Sequence, residues 1–155
     1  MKKILVLFAI IAITFGSTPL WASESELIEN RNKMLQEARA SVPQISVQDL
    51  YKMIEEGQEF VLIDVRDPDE IPNGIVEYEN SYQISRGKVE FAAPSRFAKD
   101  DPIIVMCLTG GRSSFASQAL HDMGYTNVKN VQGGITRWLR AGYPITNPLG
   151  SLVSD

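Results

Sequence analysis

Two short runs along the chain are almost wholly apolar and rich in β-favouring residues: "FVLID" at 60–64 and "IIVMC" at 103–107. Runs of this length without alternation mark strands covered on both faces, as in a parallel sheet. A third strand is expected at "NVKNV", 127–131, and a short one at the start of "YQISRGKVEFAA", which ends as a brief helix. Between these runs the period changes. Ser46 is placed to cap "VQDLYKMIEE", with Asp49 three residues on, Leu50, Met53 and Ile54 on the inner face and Gly57 as the stop. A second helix is expected from Ser113 to Met123, with Phe115, Ala119, Leu120 and Met123 inward and Gly124 ending it. "GGITRWLRAG" forms a third, ending at Gly142 before Pro144. "VRDPDEIPNGIVEYENS" carries turn signals at Pro68, Pro72 and Asn73-Gly74 and is read as loop. Strands alternating with helices across short loops predict an α/β fold, with a central parallel sheet flanked by helices on both faces.

The ends of the chain break this pattern. Residues 1–22 have a basic start, "MKK", an apolar run, "ILVLFAIIAITF", and a polar end, "GSTPLWA". This is the layout of a secretory signal, with cleavage expected after Ala22 and a periplasmic destination. Residues 23–42 read as a helical leader, free of glycine and proline up to Ser41, with Leu27, Leu35 and Ala38 among its apolar positions. The leader offers a surface for the domain or for a protein partner. The compact domain is expected at 43–146, and 147–155 as a loose tail.

The 155-residue length supports one ordinary domain with a core. Removal of residues 1–22 leaves 13 basic against 19 acidic side chains, a formal charge of −6. Without a Lys/Arg cluster, nucleic acid is not an expected partner. Once the signal is cleaved, nor is a membrane. One cysteine and one histidine offer no metal-binding spacing, so neither metal nor cofactor is implied.

The chemistry concentrates at that cysteine. Cys107 stands where a buried strand ends and a helix is about to begin. Ligands of open parallel sheets bind beyond the carboxyl ends of the strands. The unpaired N–H groups of a following helix favour negative charge there, and the thiolate is the nucleophilic form of cysteine. Gly110 and Gly111 allow positive φ and an inward-facing amide nest, and Arg112 adds a planar cation.

"CLTGGR" resembles the active-site loop of the rhodanese family, in the pattern C-x-x-G-x-R. "LIDVRDPDE" (62–70), "ISRGKVEF" (84–91) and "NVQGGITRWLRAGYPI" (130–145) match the same family in the same order. One departure is "IPNGIVEYENSYQI", with Asn73 about where the family often has a histidine. The resemblance implies a three-layer rhodanese fold and a sulfurtransferase. Cys107 would take a sulfane sulfur from a small anionic donor such as thiosulfate. The resulting persulfide would pass it to a thiophilic acceptor, cyanide or a thiol. It implies Cys107 and Arg112 as catalytic residues, with Leu108, Thr109, Gly110, Gly111 and Arg86 around the substrate. Asp64 and Arg66, at the end of the "FVLID" strand, are read as a near-site ion pair rather than catalysts. Two roles are open to Arg86: guiding an anion, or pairing with Glu90. His121 is read as solvated and Trp138 as packing. Two rival readings are a non-catalytic binding module of the same fold and a cysteine phosphatase or arsenate reductase. The latter uses five residues between Cys and Arg, whereas four stand here.

Overall fold

The computed structural model describes residues 20–147 and 150–152. The expected signal therefore lies almost entirely outside the described residues. Helix α1 runs Leu20–Ala40, so the expected cleavage point after Ala22 falls in its first turn. Among the described residues, no helix is long and apolar enough to cross a membrane.

The central sheet has five strands: β1 (Gln44–Ile45), β2 (Val61–Asp64), β3 (Ser81–Gln83), β4 (Ile103–Met106) and β5 (Val128–Val131). They lie in the order β1-β5-β4-β2-β3, and every pair is parallel. The strands of β2 and β4 are buried throughout, which is why their sequences lack polar alternation. The period of two still sorts their residues by face. Val61, Ile63 and Val65 join Ile103, Val105 and Cys107 in one apolar cluster. That cluster is completed by α3 (Val89–Ala92) and α4 (Gly111–Asp122). Phe60, Leu62, Ile104 and Met106 point the other way, onto α2 (Val47–Glu55) and α5 (Gly134–Arg140). The result is three layers, with β4 at the centre of the middle one.

Helix α2 begins as its sequence indicates. Ser46 Oγ accepts from Asp49 N–H at 3.0 Å, and the Asp49 carboxylate accepts in return from Ser46 N–H at 3.3 Å. This reciprocal cap also holds the Asp49 carboxyl below its usual range, chiefly through the Ser46 hydroxyl.

Three features differ from expectation. The inward face of α4 is Ser113, Ser114, Ala116, Ser117 and Leu120, with Phe115 and Ala119 half-buried and Met123 36% exposed. The helix is covered twice, by the sheet and by α1, and its serines let α1 pack close, with Ala38 fully buried. A single apolar stripe was therefore the wrong template. Strand β1 is too short to carry a period, and it is fixed by Asn130 N–H to Pro43 O and Gln132 N–H to Ile45 O. The expected tail instead forms a hairpin of β6 (Ile145–Asn147) and β7 (Gly150–Leu152), and Ile75 bridges to Thr146.

Candidate active site

Cys107 continues the β4 alternation, so its side chain faces the α3/α4 layer and is 1% exposed. The chain then leaves the sheet. Leu108, at 42%, and Thr109 are exposed, which keeps their side chains off the thiol. Gly110 has φ +89° and α4 starts at the next residue. This left-handed turn aims the Gly110 N–H at Cys107 Sγ, 3.1 Å away. Ser113 Oγ donates to the same sulfur at 3.3 Å. Two donors, one from the residue that caps α4 and one from its first turn, thus converge on one sulfur atom. A Cβ on Gly110 would lie 3.0 Å from Gly133 N and 3.3 Å from Val131 O. Gly111 differs from what its sequence led us to expect. It has no positive φ, and a Cβ there would meet nothing within 4 Å. Only one of the two loop glycines is needed for its backbone.

The loop is also held from the other face of the sheet. Ile135 N–H donates to Cys107 O at 2.9 Å and Thr136 N–H to Leu108 O at 3.0 Å. The approach is so close that a Cβ on Gly134, which has φ +55°, would collide with Cys107 O. The "GG" at 133–134 therefore serves as the seat of the cysteine loop. Trp138, 1% exposed, anchors α5 by donating Nε1–H to Pro144 O at 2.8 Å.

Arg112 is turned to the β2 loop. Its two terminal nitrogens each donate to a Glu70 carboxylate oxygen at 2.6 Å, and Asp67 lies 3.2 Å away. Glu70 also accepts from Asp67 N–H at 3.0 Å. The Arg112 hydrogen bonds, opposed in part by desolvation, hold the Glu70 carboxyl down at about 2. Glu70 in turn raises the Arg112 pKa, with smaller contributions from Cys107 and Asp67. Arg112 is thus a brace between two loops as well as a cation near the sulfur. Sequence reasoning missed Glu70. The signal was an acid in the "DPDE" turn of the rim that also carries Arg112.

Asp64 and Arg66 form the ion pair read from the sequence, 6% and 3% exposed, with Arg66 Nη2 to Asp64 Oδ2 at 2.6 Å. Arg66 also donates to Gly74 O at 2.8 Å, which fixes the loop through Asn73. Arg86 is paired with Glu90 at 2.8 Å, the second of its two possible roles. His121 is exposed beside Asp122. Among the described residues, no cluster of three His, Cys, Asp or Glu side chains is placed to hold a metal. A further chain of side chains went unnoticed in the sequence. Gln44 Oε1 accepts from Asn130 Nδ2 at 2.6 Å, Asn130 donates to Ser114 Oγ at 3.2 Å, and Ser114 donates to Gly110 O at 2.6 Å. It ties β1 and β5 to the glycine that aims an amide at the sulfur.

The family model of the rhodanese-like domain matches residues 46–141, and the chain belongs to that family. A sulfurtransferase of Allochromatium vinosum is 31% identical over 109 residues, covering 70% of this chain and 99% of that protein. The polysulfide-sulfur transferase homodimer of Wolinella succinogenes is similar in structure, at TM-score 0.68 and 32% identity, over 79% of this chain and 91% of that one. A protein of Rhodopseudomonas palustris described as of unknown function, possibly a tyrosine phosphatase, has TM-score 0.67 at 31% identity, over 74% and 92% of the two chains.

Proposed function

We propose that this protein is a sulfurtransferase in which Cys107 carries the sulfur as a persulfide. The observation that carries the reading is the convergence of Gly110 N–H and Ser113 Oγ on Cys107 Sγ, at 3.1 and 3.3 Å, in a loop with no inward side chain beyond the cysteine. The cycle has two displacements. The Cys107 thiolate attacks the outer sulfur of a sulfane donor such as thiosulfate. A Cys107–sulfur bond forms, the donor's S–S bond breaks, and its electron pair leaves on sulfite. An acceptor thiolate or cyanide then attacks the outer sulfur, and the pair returns to Cys107. Donors fixed before the reaction stabilise the anionic sulfur at both stages. Arg112, braced by Glu70 and Asp67, holds the loop closed and adds positive charge.

A phosphatase or arsenate reductase fits less well. The four residues from Leu108 to Gly111 make a smaller ring than five would, suited to one sulfur rather than a tetrahedral oxyanion. A pure binding module has no use for a thiol with two donors aimed at it. The amino-terminal pattern supports export to the periplasm, with a mature chain beginning near Ser23, and sequencing of the cellular protein reads this directly. The catalytic reading is tested by thiocyanate release from thiosulfate and cyanide. Wild-type protein should turn over and Cys107→Ser should not; equal rates would remove Cys107 from the chemistry.

A further inference from the structure

Three arginines are already paired: Arg66 with Asp64, Arg86 with Glu90, and Arg112 with Glu70 and Asp67. Arg39 and Arg137 are different. Neither guanidinium has an ion pair or hydrogen bond among the described residues, although the chain has 19 acids against 15 bases. Both line one polar pocket of about 400 Å³, bounded also by Gln44, Asn130, and the loop residues Thr109 and Gly110. Among the described residues, no Asp or Glu lines it. Asn130, in its wall and 1% exposed, has a side-chain oxygen without a hydrogen-bond partner. The volume is that of a small-molecule site. Arg39 comes from the last turn of α1 and Arg137 from α5, so the leader helix and the core domain each contribute one cation.

We propose that Arg39 and Arg137 form an anion subsite beside the sulfur loop, and that it holds the carboxylate of an acid-bearing acceptor thiol. This rests on the persulfide reading of Cys107. Two guanidinium groups that have neither a partner nor an acid between them among the described residues suit a carboxylate. The pocket shares Thr109 and Gly110 with the cradle but lies to one side of it. Cys107 is not among the residues that line the pocket, so a ligand that uses both carries its charge apart from its reacting sulfur. Thiosulfate, whose charged oxygens stand only one atom from its sulfane sulfur, is short for that arrangement; a thiol on a short carboxylate chain is longer. The acceptor thiolate attacks the outer persulfide sulfur and leaves with it, and the electron pair of the broken bond returns to Cys107. The leader helix is then part of the site rather than an appendage.

The test compares 3-mercaptopropionate with its uncharged amide as acceptors from the thiosulfate-loaded protein. Wild-type KM should be lower for the acid by about tenfold, the usual scale of a charge-assisted contact. In the double variant Arg39→Gln/Arg137→Gln that preference should vanish, with KM for the amide and Cys107 loading by thiosulfate unchanged. Both side chains are exposed, so folding is not at stake. Calorimetric titration of Cys107→Ser protein with 3-mercaptopropionate reads the subsite without turnover, and its affinity should fall when both arginines are replaced. Equal affinity with and without them, or an acid preference that survives their loss, overturns the subsite. Absence of sulfur loading in the wild type would instead strike the Cys107 reading and leave the titration to decide this one.

Discussion

Replacing Glu70 with glutamine should weaken the fold at neutral pH and leave it unchanged in acid. The Glu70 carboxyl is lowered from about 4.5 to about 2, first by its hydrogen bonds from Arg112. A shift of that size corresponds to roughly 3 kcal/mol at ~1.4 kcal/mol per unit. The pair is only partly shielded, with side chains 34% and 23% exposed, and solvent screening removes part of this. We expect a net loss of about 1–2 kcal/mol in Glu70→Gln. A carboxyl with a depressed folded pKa stabilises fully above its unfolded value, and that contribution disappears as pH falls through the folded one. The gap between wild type and variant should thus be full at neutral pH, shrink below about 4.5 and close near about 2. Urea unfolding of both proteins across that range measures it. A variant as stable as wild type at neutral pH, or a gap indifferent to pH, would refute the brace. Because Arg112 also sits beside the sulfur, the variant should load sulfur more slowly, which a stopped time course with thiosulfate reports.

Other positions test separate parts of the site. Gly134→Ala should push Cys107 O out of place and lower turnover steeply, whereas Gly111→Ala, with open space around its Cβ, should be active; paired kinetic assays distinguish them. Ser113→Ala removes one donor to the sulfur and should slow persulfide formation by about 10²-fold with little change in melting temperature. Asp64→Ala leaves a buried guanidinium unpaired and should cost about 3–5 kcal/mol, read by chemical denaturation.

The strands that build the site were legible because burial on both faces leaves an unbroken apolar run. β2 and β4 carry such runs, and Cys107 was visible at the end of one. The α2 cap was legible because Ser46 and Asp49 act within one turn. What escaped notice depends on contacts distant in sequence. Glu70 meets Arg112 across 42 residues, and Asn130 meets Gln44 across 86. No local period encodes either. The α4 face was misread because α1 covers a side that a lone helix would give to water. Gly134 was legible only as the start of a helix, while its tightest constraint is the carbonyl of a residue in another loop.

In the proposed cycle Cys107 accepts sulfur covalently within its loop. Intact-mass measurement of the protein after incubation with thiosulfate, without any acceptor, tests it most directly. Wild-type protein should gain one sulfur atom, removed by cyanide and absent in Cys107→Ser. An unmodified wild-type mass across thiosulfate and polysulfide donors, or the same gain in Cys107→Ser, would contradict it.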